Sequence, residues 1–189
     1  MIQNLFKAYS ISNIMHLRFL VLVIVGFAEF LRISELLSIW ITDIEILQDQ
    51  AQIFLPDSKC DQRRGGNTVY IAKTNTATCP VFCLDKYLKD TNLISEPESY
   101  LFCRLYKTRK GHNAHGNKPL SYTRARETFM EHIKVFEEKE VKKFGLHSLR
   151  SGGASAATDN EVDERLIGKH GRWSCNSSME GYIKDSKKT

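Results

Sequence analysis

No apolar run in this sequence has the ~20 residues that a helix needs to span a bilayer. The block FLVLVIVGFA, Phe19 to Ala28, stops at ten residues between Arg18 and Glu29, so it reads as a buried core helix. The N-terminus has neither the separate basic region nor the cleavage site of a secretory signal. Five cysteines are an odd number without the spacing of a small disulfide framework, which points to free thiols in a reducing compartment. Cys79 and Cys83, with His112 and His115 further on, match no zinc module, and Pro80 follows Cys79 directly, so no metal site is expected. Low-complexity tracts and internal repeats are missing too, which argues against disorder and against a solenoid. The expectation is a soluble, intracellular, folded chain with no membrane partner.

At 189 residues with 42% apolar side chains, the chain has the size and composition of one ordinary domain with a core. Its formal charge of +5 is unevenly spread. Residues 1–103 hold nine Lys/Arg against eleven Asp/Glu, residues 104–150 hold twelve against five, and residues 151–189 hold six of each. One stretch therefore supplies the positive excess. It suits either a polyanion or a solvated helix face.

Ser12 or Asn13 can cap a helix running through the apolar block to about Leu31, and such a helix, apolar on nearly all faces, belongs in the middle of a domain. Ser34 is the expected cap of the next short helix, with Arg32 at the junction. Arg32 can face a ligand there or pair locally with Glu35, three residues on. From Asp43 the pattern alternates. Ile44–Leu47, Ala51–Leu55 and Thr68–Ala72 read as a three-stranded antiparallel meander, with Lys59 in the longer hairpin SKCDQRRGG. Pro80 opens a helix to about Lys89. Residues 107–119 read as a polar loop. Ser121 caps a helix expected to reach Phe136, with Arg124, Glu127, Glu131 and Lys134 outward. EEKEVKK then reads as a solvated turn. Further helices are expected at Leu146–Asp159, Glu161–Lys169 and Ser174–Lys184, the last carrying Tyr182.

The segment FGLHSLRSGGASAATDNEVDERLIGKHGRWSCNSSMEGY holds the chemistry. His147 and Arg150 are three apart at the start of a helix, where an anion is favoured. Trp173 and Tyr182 are nine apart, about two and a half turns. The small residues Gly152, Gly153, Ala154, Ala156 and Ala157 permit another backbone to pack close. A guanidinium, an imidazole, an indole N–H and a phenol together suit in-line attack on a phosphodiester.

FLRISELL, SKCDQRRGG, GLHSLRSGGASAA, and GKHGRW followed by EGYI resemble, in order and over about residues 20–184, the catalytic domain of the tyrosine recombinases, the phage-integrase family. The HGRW form is similar to the integrase-like genes of eukaryotic and large-virus mobile elements. The resemblance implies an α+β fold, mainly helical with a small three-stranded antiparallel sheet, and a DNA recombinase or integrase working through a 3′-phosphotyrosine intermediate. It implies that Arg32 and Arg150 hold the scissile phosphate, Lys59 protonates the departing 5′ oxygen, His147 assists and Tyr182 attacks. Trp173 takes the remaining catalytic position, with His170 as the alternative, and Glu35 supports the arginine or histidine. Strand exchange of this kind needs neither ATP nor metal, so no cofactor is expected. The partner is double-stranded DNA, with Arg63, Arg64, Lys107, Arg109, Lys110 and Arg124 as backbone contacts.

The chain is expected to be a single catalytic domain, with a core of about residues 12–184. About a dozen residues precede the first helix of that core and seven follow Tyr182. The N-terminal core-binding domain is therefore expected to be absent and the C-terminal tail truncated, so that the family's homo-tetramer gives way to a monomer in this fragment. The expected compartment is the nucleus in a eukaryote or the cytoplasm in a bacterium or phage. Two other readings share the motifs: a domesticated, catalytically silent DNA-binding module, and a type IB topoisomerase. In the latter family the position of His147 is usually lysine and that of Trp173 histidine.

Overall fold

The computed structural model describes residues 2–56, 65–109, 111–136 and 141–183, without the side chains of Gly111 and His115. Helix α1 (Ile2–Ala8) precedes the central helix α2 (Ile14–Ala28). Asn13 rather than Ser12 caps α2, its side chain accepting from the backbone N–H of Met15 and His16. All ten residues from Leu17 to Gly26 are buried, which the absence of a polar stripe dictates. The helix ends three residues earlier than Leu31 because Phe30 turns left-handed, at φ 46°.

Helix α3 spans Ile33–Leu37, and its cap is Arg32 where Ser34 was expected. The reason is Glu35: its Oε2 accepts the Arg32 backbone N–H at 2.8 Å, satisfying a donor of the first turn. Strands β1 (Ile44–Ile46), β2 (Gln50–Leu55) and β3 (Asn67–Ala72) form the antiparallel meander, in register Ile44 to Ile53 and Ile53 to Val69. Ala51, Ile53, Leu55, Val69 and Ile71 face the core, and Phe54 and Tyr70 face water. Helix α4 (Pro80–Asp90) packs against α2, with Cys79 as its cap.

The segment expected as a loop over 107–119 is instead a second antiparallel sheet, β4 (Cys103–Thr108) paired with β5 (Gly111–Pro119). Most of β4 beyond Cys103 is exposed or half-exposed, so the ladder forms without an alternating apolar pattern to announce it. Helix α5 (Tyr122–His132) is capped by Ser121 and tightens into a 3₁₀ turn over Ile133–Val135 before Phe136. The solvated turn expected at EEKEVKK lies largely outside the described residues.

Helix α6 spans His147–Asp159 and packs on α2. A methyl at Gly153 would lie 2.2 Å from the Phe27 carbonyl oxygen, so the small residues do bring two backbones together. Asp163 caps α7 (Glu164–His170), which begins after the left-handed Glu161 and not at it. Helix α8 is short, Asn176–Glu180, and Tyr182 sits just beyond it, its N–H donating to the Met179 carbonyl at 2.8 Å. A main core surrounds α2, and a smaller one of Phe30, Ala154, Ile167 and Met179, with Trp173 and Ile183 against it, supports the C-terminal segment.

Among the described residues, Cys79, Cys83, Cys103 and Cys175 are not joined in disulfides, and no group of three His, Cys, Asp or Glu is placed to hold a metal. No helix of these residues is long and apolar enough to cross a membrane.

Candidate active site

The C-terminal end of α2 presents carbonyl groups that no further helical turn can satisfy. Three residues from the end of the chain take them. Arg150 donates through Nη1 to the Phe30 carbonyl, His170 through Nε2 to Ala28 at 2.8 Å, and Arg172 through both Nη atoms to Glu29 at 3.4 Å. Cations are favoured at this negative end of the helix dipole. The convergence of these side chains follows from the fold, since α6 lies against α2 and the turn after α7 lies at its tip.

Arg150 is 1% exposed, the largest of the fully buried side chains. Its Nη2 donates to the Gly171 carbonyl at 2.6 Å, and its Nε has no partner among the described residues. The Trp173 ring lies 4.2 Å from its guanidinium carbon, the Tyr182 ring 5.1 Å, and the two rings are 5.5 Å apart. Burial, together with the nearby positive charges of Arg32 and Arg172, pulls the Arg150 pKa down to about 10, with Glu35 opposing. Arg150 is therefore a buried arginine with two aromatic rings to one side of its guanidinium and two further arginines nearby.

Arg32 Nη1 pairs with Glu35 Oε1 at 2.8 Å, with the Arg32 side chain 20% exposed and that of Glu35 4%. Of the two expectations for Arg32, the local ion pair with Glu35 is the one seen. Arg172 also reaches Glu35, Nη2 to Oε2 at 3.3 Å. Its part in this cluster was not anticipated. The residue stands inside GKHGRW, but an exposed and a buried arginine look alike in a sequence. Glu29 was likewise unforeseen: it is buried, with its pKa pushed up to about 7 by loss of water against the pull of Arg172.

His147 opens α6 and is exposed. His170 points to the end of α2, 3.6 Å from Glu29 Oε2 and edge-on to Phe30, and it is Trp173 whose ring covers Arg150. Trp173 Nε1 is buried without a hydrogen-bond partner among the described residues. Lys59, Arg63, Arg64 and Lys110 lie outside the described residues. Lys107 and Arg109 are exposed on and beside β4, away from the Arg150 cluster in sequence and element. Arg124 is exposed and pairs with Glu127 at 3.0 Å.

A mainly helical α+β domain with small antiparallel sheets is the fold of the tyrosine-recombinase catalytic domain. The chain belongs to the phage integrase family, whose model matches residues 2–189. Among solved structures it resembles the XerH site-specific recombinase in a post-cleavage complex with palindromic difH substrate, at TM-score 0.70 and 14% identity over 98% of this chain and 47% of that one. It also resembles FLP recombinase in a Holliday-junction complex, at TM-score 0.61 and 15% identity over 93% and 42%. The Tn1549 transposon integrase with circular intermediate DNA follows at 0.56 and 12%, over 87% and 53%. The chain spans about half the length of these structures. A search of curated proteins finds no match.

Proposed function

We propose that this chain is the catalytic domain of a site-specific DNA recombinase or integrase that cleaves and rejoins double-stranded DNA through Tyr182. The observation that carries the reading is the meeting of Arg150, Trp173 and Tyr182, with Arg32 linked to them through the Glu35 and Arg172 pairs. Tyr182 Oη attacks the scissile phosphorus and a 3′-phosphotyrosine bond forms. The bond from phosphorus to the 5′ oxygen breaks, and that oxygen takes a proton from Lys59. The phenol proton passes to His147 or to water. Arg32 and Arg150 neutralise the nonbridging oxygens as charge builds in the transition state, and Trp173 donates its N–H. One phosphodiester replaces another, so rejoining is the same step reversed and no nucleotide cofactor is consumed.

Lys107 and Arg109 on the β4–β5 hairpin, with Arg63, Arg64, Lys110 and Arg124, hold the DNA backbone. The working assembly is a homo-tetramer on DNA when further chain is present, and a monomer otherwise, inside the cell or nucleus where the DNA lies.

The test is covalent trapping on nicked DNA from a mixed-sequence pool, quenched in detergent, with Tyr182→Phe in parallel. An adduct in the wild type and none in the variant is the expected result. Binding without an adduct, in the longest natural form of the protein, would replace this reading with a silent DNA-binding module. Relaxation of DNA with no site preference would favour a type IB topoisomerase.

A further inference from the structure

Arg172 occupies a position for which recombinase chemistry has no assigned task in this chain. Its backbone is left-handed at φ 56°, a conformation that side-chain-bearing residues rarely adopt and that glycine adopts freely. An arginine here therefore has to be held by what its side chain makes. Its Nη1 donates to the His170 carbonyl at 3.0 Å and to Glu29 at 3.4 Å, and its Nη2 donates to Glu29 at 3.4 Å and to Glu35 Oε2 at 3.3 Å. All four terminal N–H groups are thus directed inward, and the side chain is 8% exposed. No fork is left to grip a phosphate.

Glu35 is the residue that gives these contacts a direction. Its side chain is 4% exposed, and it is shared: Oε1 takes Arg32 Nη1 at 2.8 Å, and Oε2 takes both the Arg32 backbone N–H at 2.8 Å and Arg172 Nη2 at 3.3 Å. Glu35, the most buried of the three, lies between the two arginines, and only Arg32 is substantially open to solvent, at 20%.

We infer that Arg172 is a positioning residue: it anchors Glu35 through Oε2 so that Arg32, held by Oε1, presents its guanidinium to the scissile phosphate in one orientation. The inference rests on the recombinase reading. Fixing a group in place before reaction matters because a displacement of about 1 Å can cost on the order of 100-fold in rate. A second purpose follows from charge. With Arg32 and Arg150 close together, Glu35 keeps the two cations from driving each other apart before DNA arrives, and Arg172 keeps Glu35 from swinging wholly to Arg32.

The experiment is a double-mutant cycle on single-turnover covalent cleavage, with DNA affinity measured alongside. It uses Arg172→Gly, which suits the left-handed backbone, Glu35→Gln, and the two combined. Arg172→Gly is expected to slow adduct formation about 100-fold with DNA affinity unchanged. In the Glu35→Gln background, the same change is expected to have little further effect. Full multiplication of the two losses would overturn the inference, because a purely structural role acts independently of Glu35. So would wild-type cleavage by Arg172→Gly. Should that variant fail to fold, Arg172→Lys enters the same cycle, and the same two outcomes decide. A wild type that forms no adduct on any DNA overturns the recombinase reading itself, whereas a wild type that traps beside an Arg172 variant that traps equally overturns only the role of Arg172.

Discussion

The indole of Trp173 lies over the guanidinium of Arg150, 4.2 Å from ring centroid to the central carbon. A cation on an aromatic face, shielded from water, contributes about 1–2 kcal/mol. Trp173→Phe keeps a ring there and removes an N–H that has no hydrogen-bond partner among the described residues. It is expected to lower stability by less than about 1.5 kcal/mol, while slowing covalent cleavage if the N–H serves the phosphate. Arg150→Ala, in contrast, gives up two charge-assisted bonds to Phe30 and Gly171, a loss on the order of 3 kcal/mol. Chemical denaturation of both variants, beside the trapping assay, checks the pair.

Glu29 makes stability depend on pH in a direction opposite to the usual carboxylate. Its folded pKa is raised from 4.5 to about 7 by burial. The folded state therefore holds its proton more tightly than the unfolded state does. This contribution is fully present below about pH 4.5 and is lost as pH rises towards 7, amounting to roughly 3 kcal/mol at about 1.4 kcal/mol per unit. Glu29→Gln stays neutral throughout. Its stability relative to wild type is expected to rise between pH 4.5 and 7 and then level off. Urea titrations across that window test this, and a flat difference would contradict it.

Gly152 and Gly153 are neighbours with opposite expectations. A methyl at Gly153 meets the Phe27 oxygen at 2.2 Å and the Phe30 ring at 2.5 Å, whereas at Gly152 the nearest atom is a Phe27 ring carbon at 3.4 Å. Gly153→Ala is expected to lose about 1–3 kcal/mol through forced separation of α2 and α6. Gly152→Ala is expected to be neutral or to gain up to about 1 kcal/mol from helix propensity, provided the Phe27 ring yields slightly. Thermal melts of the two variants give the comparison directly.

Lys107 and Arg109 sit exposed on a hairpin whose neighbours in sequence are also basic. Replacing either with Ala is expected to weaken DNA binding about equally on all sequences. Removing one charge that neutralises a phosphate should reduce the slope of log affinity against log salt by about 0.9. Binding measured at several salt concentrations, on two unrelated duplexes, provides the check. Sequence-dependent losses would assign these residues to base readout.

The meander and the central helix were legible within a residue or three because their signals are local. Ala51 stands between Gln50 and Gln52, Val69 between Thr68 and Tyr70, and Asn13 at the head of an apolar block. The β4–β5 hairpin was not legible, because strands wet on both faces carry no periodic mark and His112 to Lys118 look like any loop. Ser34 looked the better cap, and only the reach of Glu35 back to the Arg32 N–H decides otherwise. In the site, the order of Arg32, His147, Arg150, Trp173 and Tyr182 was readable as a motif set. Which of them touch was not, since Arg172 and Glu29 meet over 143 positions and no spacing rule spans that distance.

The end of α2 has a consequence for how this protein is made. Its carbonyls wait for partners that are 120, 142 and 143 residues further along. At a synthesis rate of about 5–20 residues per second, the ribosome needs on the order of ten seconds to deliver them. Throughout that interval the most apolar helix of the molecule has emerged while the segment that closes its tip is still being translated. The nascent chain is a natural client for a chaperone, and a pause or premature stop before Arg150 would release a product prone to aggregation.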